Sequence, residues 1–293
     1  MQDAADNSSR YLVIGGDNRS IELARIFKRK GSIVSTLGMI NANIQEVKDY
    51  EDMDEALENS DILIGPIPFS KEKNIVNAEY ADKPIEIERL FQRMNSSKLF
   101  LTGAMNKSSR DIADKHNIKY IDYYWDESYQ VLNAIPTVEG ALALLIKETD
   151  YTIHGSRIMV LGYGRIGKLL CDYLRMMGAR VYAEARKDGD IAWIVSKGIN
   201  PVYIDEISSY AGSMDIIINT VPALIIDKKL IDILNKEVLI VDLASMPGGV
   251  DFEHAKCKGI KAIHALGLPG KVAYKTAAQY MYETIMKLIA KNI

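Results

Sequence analysis

The chain has 293 residues, 48% of them hydrophobic, which suits one or two domains with their own buried cores. Its 36 basic against 39 acidic residues leave a net charge of -3, without the basic excess that non-specific nucleic-acid binding requires. The opening MQDAADNSSR is polar where a signal peptide would be basic and then apolar, and the apolar run 141–146 is too short to span a bilayer, so a soluble, cytoplasmic protein is expected, with neither nucleic acid nor membrane as partner.

In chain order, a disordered arm is predicted over 1–10. From Tyr11 to about Tyr124, short apolar runs alternate with amphipathic stretches, the pattern of a parallel sheet covered by helices on both faces. The runs 11–14, 33–37, 61–67, 98–103 and 119–124 are the predicted strands of an N-terminal, flavodoxin-like α/β domain over 11–132. Thr137, in IPTVEG, is placed to cap a connecting helix over 133–150 that is apolar on nearly all sides. A second series, 157–162, 180–185, 201–204, 215–220, 238–244 and 261–265, supplies six strands for a Rossmann domain over 151–271. In the last stretch, 272–293, Ala277, Met281, Ile285 and Leu288 fall at helical spacing, predicting a helix that packs back on the first domain. The fold class expected is α/β, with two doubly wound parallel-sheet domains.

Cys171 and Cys257 have no CxxC or Cys/His neighbour and read as inert thiols, so no metal site is expected. The chemistry-bearing motif is RIMVLGYGRIG, 157–167. Gly162, Gly164 and Gly167 follow an apolar strand and open an amphipathic helix. In a dinucleotide site the first glycine permits the tight turn, the second lets backbone approach the pyrophosphate, and the third lets helix and strand pack closely. Tyr163, Arg165 and Ile166 lie within that turn, and the helix N-terminus offers its N–H groups to phosphate.

At the end of the next strand an acidic residue would select NAD and an arginine NADP. Ala185 occupies that position, followed by Arg186 and Lys187, while Glu184 comes one residue early, where it can face the sheet. NADP is favoured, NAD remaining open. Asn219, Thr220, Val221 and Pro222 follow the fourth strand, and Ala244 and Ser245 the fifth. Both segments emerge at the carboxyl edge, where ligands bind in this architecture; ordinary turn chemistry is the alternative.

IPTVEG (135–140), TDYTIHGS (149–156), VLGYGRIG (160–167), DLASMPGGVDF (242–252) and GLPGKVAYKTA (267–277) together resemble the A subunit of bacterial dipicolinate synthase over nearly the whole chain. Tyr274 and Ala278 depart from the pattern, which more usually has proline and glycine there. The resemblance implies oxidation of a dihydrodipicolinate-type precursor, from a branch of the lysine/diaminopimelate pathway, to pyridine-2,6-dicarboxylate in the mother cell of a sporulating bacterium. It also implies a second, flavoprotein-like B subunit, and a homo-oligomer is expected.

A small dicarboxylate substrate calls for fixed donors. Arg19, in GGDNRS, is the first candidate, with a solvated residue at a helix start as its alternative; Gly103, Asn106 and Thr137 come next. Lys275 and Thr276 could supply charge and hydroxyl to a carboxylate. Lys275, His264 and Glu139 are the candidates for catalysis, each with a structural alternative: a surface lysine, a satisfied histidine and a helix brace. D-2-hydroxyacid dehydrogenases and alanine dehydrogenase are rival readings. Against the first, Gly270 stands where those enzymes carry a histidine after proline. A non-catalytic polypeptide that only binds NADP is the third reading.

Overall fold

A computed structural model of the chain describes residues 9–95 and 97–292. Of the predicted arm, 1–8 lies outside the described residues, and Arg10 already belongs to the first strand. The chain divides into two compact units, one formed by residues up to Asn133 together with those from Ala273 onward, the other by Ala134–Val272.

The first unit runs β1 (Arg10–Ile14), α1 (Asn18–Arg29), β2 (Ile33–Leu37), β3 (Lys48–Tyr50), α2 (Met53–Glu58), β4 (Ile62–Ile64), α3 (Ile87–Arg93), β5 (Leu99–Thr102), α4 (Lys107–Lys115), β6 (Tyr120–Asp122) and the start of α5 (Glu127–Glu148). Its strands pair in parallel in the order β3-β2-β1-β4-β5-β6. The flavodoxin-like expectation needs correcting. The five predicted strands are joined at the β2 edge by β3, whose sequence KDY has no apolar run to signal it, and the complete order is the Rossmann one.

In the second unit come β7 (Arg157–Leu161), α6 (Arg165–Met176), β8 (Arg180–Glu184), α7 (Asp188–Ser196), β9 (Asn200–Val202), α8 (Ile207–Ala211), β10 (Ile216–Asn219), α9 (Lys228–Asp232), β11 (Leu239–Asp242), α10 (Phe252–Cys257), β12 (Lys261–His264) and α11 (Leu268–Val272). Its order, β12-β11-β10-β7-β8-β9, repeats the same parallel arrangement. The central strands are buried on both faces, as their unbroken apolar runs require.

The helix expected at 133–150 begins earlier. Asp126, not Thr137, caps α5: its Oδ1 accepts the Tyr129 N–H at 3.1 Å, and its Oδ2 accepts from Lys287 at 2.7 Å. Pro136 therefore lies inside the helix, and buried Thr137 follows it. Proline reads as a helix start because it lacks a donor, but here the helix runs through it. By length and hydropathy α5 could cross a membrane, yet Val138, Ala141, Leu142 and Leu145 pack into the second unit's core.

The last helix, α12 (Tyr274–Asn292), belongs to the first unit and packs on α1. Ala277, Met281 and Ile285 are buried, the latter two in the core shared with Phe27 and Leu23, and Leu288 is half-buried against it. Met281→Ala removes most of one buried side chain and should cost about 2–5 kcal/mol in chemical denaturation; a loss below the lower figure would show that α12 contributes little to the first unit.

Candidate functional site

β7 ends at Leu161 and the chain turns at Gly162, whose φ of +91° favours glycine. The Gly162 N–H donates to Glu184 Oε2 at 2.9 Å, tying the turn to the end of β8. A Cβ at Gly167 would overlap the Gly162 carbonyl oxygen, so only glycine lets α6 lie this close to the strand. Gly164 caps α6 and, in contrast, has open space where a Cβ would be. Among the described residues no side chain caps that helix end, where a helix N-terminus offers backbone N–H groups and a partial positive charge to an anion. These features fit the pyrophosphate of a dinucleotide.

Neighbouring side chains divide between core and surface. Tyr163 turns its ring into the core, where burial pushes its hydroxyl up to about 12, so only its backbone borders the turn. Ile166 is half-buried against the same core, and Arg165 is exposed. Glu184 is buried, not presented to solvent. Burial raises its carboxyl above the usual range, opposed by the Gly162 N–H and by Arg186. Arg186 and Lys187 are exposed just beyond it.

The carboxyl edge continues through β10 and β11. Thr220 Oγ1 donates to the Leu161 carbonyl at 2.9 Å. Asn219, fully buried, is spent inward: its amide donates to the Val221 carbonyl at 2.9 Å and to Asp242 Oδ1 at 2.8 Å, and its Oδ1 accepts the Val221 N–H at 3.1 Å. Its side chain thus shapes the turn carrying Val221 and exposed Pro222 and does not itself face a ligand. Asp242 opens the 242–252 motif without a role assigned to it from sequence, although an acidic residue ending a buried strand is a signal in itself. After Asp242 comes buried Ala244 and then exposed Ser245. His264 stacks on Phe252 at 5.4 Å, and its Nε2 lies 2.9 Å from the Ala244 carbonyl. A carbonyl only accepts, so Nε2 carries the proton and Nδ1 is the acceptor of the neutral ring.

A family model described as the N-terminal domain of the dipicolinate synthase A subunit matches residues 10–124. The dipicolinate synthase A subunit of Bacillus subtilis (strain 168) is 32% identical over 96% of this chain and 96% of its own length. The chain belongs to the dipicolinate synthase A-subunit family. The crystal structure of the dipicolinate synthase A subunit from Bacillus halodurans, 29% identical, superposes with a TM-score of 0.88 over 96% of this chain and 98% of that one. Apo D-lactate dehydrogenase from Escherichia coli, 12% identical, shares the fold with a TM-score of 0.63 over 96% of each chain.

In this family member the first unit has the same strand order as the second but a different turn. Asp17 caps α1, accepting the Arg19 N–H at 2.9 Å, and its carboxylate pairs with the Arg19 guanidinium at 2.6 Å. The chain's own anion thus fills the helix N-terminus that is left open in the second unit. Arg19, the first candidate for a substrate carboxylate, is neither solvated nor free for one: it is only 5% exposed and also donates to the Ile67 carbonyl. A buried cation needs such a partner. Burial works against the Asp17 charge, but the bonds from Arg19 outweigh it and hold the carboxyl below its usual range. The Tyr129 hydroxyl, buried and without a hydrogen-bond partner among the described residues, feels the same charges, and its ring meets Tyr123 edge-on at 5.8 Å.

The other candidates divide between scaffold and surface. Gly103 donates to the Pro66 carbonyl and accepts from the Phe69 N–H, and a Cβ there would lie 2.7 Å from Ile67 Cβ. Asn106 caps α4, its Oδ1 accepting the Ser109 N–H at 2.8 Å. Lys275 and Thr276 are exposed on the first turn of α12, and Glu139 is exposed on α5.

Substitutions separate the two glycines by role. Gly164→Ala should leave the melting temperature near that of the parent while weakening nucleotide binding about tenfold, because its Cβ enters the phosphate space. Gly167→Ala should destabilise by about 1–3 kcal/mol through overpacking; equal effects on binding and stability in both variants would contradict this division. For Glu184, a carboxyl raised by burial favours the folded state below its unfolded pKa, and that contribution is lost as pH rises through the folded value. Glu184→Gln keeps an acceptor without the charge. Its melting temperature should exceed the parent's at neutral pH, with the gap closing as pH falls through the carboxylate range; a gap independent of pH would refute the assignment.

Proposed function

We propose that this family member oxidises a dihydrodipicolinate-type precursor to dipicolinate with NADP, in company with a flavoprotein-like B subunit, in the mother cell of a sporulating bacterium. The observation that carries the reading is the glycine turn: an α6 N-terminus without a side-chain cap, and open space at Gly164, in a chain of the dipicolinate synthase A-subunit family. The choice of NADP rests on Arg186 and Lys187, exposed past the end of β8, while the nearby acid, Glu184, is engaged with the Gly162 N–H.

Aromatising a dihydropyridine removes a hydride and a proton, so the protein's task is mainly to bring substrate and nucleotide together. When bound, the nucleotide supplies the hydride acceptor. The residues around Gly162, Gly164 and Gly167 hold its phosphates. Ser245 and the backbone at Val221 and Pro222 border its other half. Lys275 and Thr276 are the exposed donors proposed for a substrate carboxylate. His264 Nδ1 and Glu139 are the groups proposed to take the proton.

One assay series tests this reading. The purified chain, alone and with the B subunit, is given a dihydrodipicolinate-type substrate while nicotinamide absorbance and dipicolinate are followed. Dipicolinate should form with NADP, and Arg186→Ala should weaken NADPH binding about tenfold, the scale of one charge-assisted hydrogen bond, without changing NADH binding. Turnover of 2-keto acids alone would move the chain to the hydroxyacid dehydrogenases. NADP binding without turnover in any combination would make it a non-catalytic partner of the B subunit.

A further inference from the structure

The carboxyl edge of the second unit carries a buried carboxylate that the glycine turn does not use. Asp242 ends β11, opposite Asn219 in the ladder with β10, and both side chains are fully buried. Asp242 Oδ1 accepts from Asn219 Nδ2 at 2.8 Å and from the Ala244 N–H at 3.0 Å, while Oδ2 accepts the Gly249 N–H at 2.7 Å. One carboxylate therefore grips the loop at both ends and leaves Ser245, Met246 and Pro247 exposed between them. The two glycines closing the loop make that grip possible. Gly248 has a φ of +84°, and a Cβ on it would lie 2.7 Å from Asp242 Oδ2; one on Gly249 would overlap the Asn219 amide.

The grip is continuous with the cofactor turn. Asn219 fixes Val221, the adjacent Thr220 bonds to the Leu161 carbonyl beside Gly162, and His264 holds the Ala244 carbonyl from the other side. Ligands of a doubly wound sheet lie across the carboxyl ends where the strand order reverses, here between β7 and β10. Phosphates at the β7–α6 turn put the adenine half toward β8 and the nicotinamide half over the 219–222 and 244–249 segments.

We propose that Asp242 is a positioning residue that sets the 244–249 loop for the nicotinamide half of the nucleotide, independently of the phosphate and adenine half. The proposal rests on the dinucleotide reading of this site.

Asp242→Asn replaces one acceptor oxygen with a donor that faces an N–H. The test measures binding of NADPH and of adenosine 2′,5′-bisphosphate, which lacks the nicotinamide half, to the full chain. The variant should bind NADPH about tenfold or more weakly, the scale of a lost hydrogen bond to a charged group, and the bisphosphate within about twofold of the parent. Equal weakening of both probes, or no change in either, would overturn the proposal. Amide exchange in the parent chain covers the case of a variant that does not fold: the Ala244 and Gly249 amides should exchange far more slowly than those of Ser245 and Met246, and equal rates would also overturn it. A parent chain that binds neither probe would defeat the dinucleotide reading itself, and the positioning role with it.

Discussion

The second unit depends on a close approach between the α-carbon of Gly167 and the carbonyl of Gly162. No side chain fits between them, and that restriction lets the first turn of α6 lie against the end of β7. From this contact the rest of the site follows. The helix end has no side-chain cap among the described residues, Gly164 faces open space, and the N–H of Gly162 bonds to Glu184 across the sheet. A helix N-terminus built in this way carries unsatisfied donors and a partial positive charge, and anions bind there without further machinery.

The first unit is built differently at the corresponding turn. It has the same strand order and a glycine pair after β1, yet Asp17 occupies the end of α1 and Arg19 neutralises it. The N-terminal end of α1 is thereby satisfied from within by the chain's own carboxylate. Two sheets of one topology therefore differ at this turn in a single capping residue, a carboxylate in one and a glycine in the other.

Strand-end aspartates serve both units in a related way. Asp122, at the end of β6, accepts the N–H groups of Ala104 and Met105, and Asp242 accepts those of Ala244 and Gly249. A carboxylate with two oxygens can hold two backbone donors at once, and hydrogen bonds to a charged acceptor are stronger than neutral ones. Loops at the carboxyl edge are thereby held by strand-end carboxylates, Asp242 fully buried and Asp122 half-buried, leaving residues such as Ser245 exposed.

Much of the architecture was legible in the sequence because it depends on local pattern. Apolar runs marked the strands that are buried on both faces, the stripe of Ala277, Met281 and Ile285 marked α12, and three glycines after an apolar strand marked the tight turn into α6. Tertiary structure decided the rest. β3 exists because β2 offers its edge, α5 runs through Pro136 from a cap at Asp126, Arg19, Gly103 and Asn219 turn their polar groups inward, and Asn106 is spent on the cap of α4. A polar residue in a loop has the same local signature whether it meets a ligand or a neighbouring strand. Which it meets depends on satisfying buried donors and acceptors contributed by distant segments, and only the folded chain brings those together.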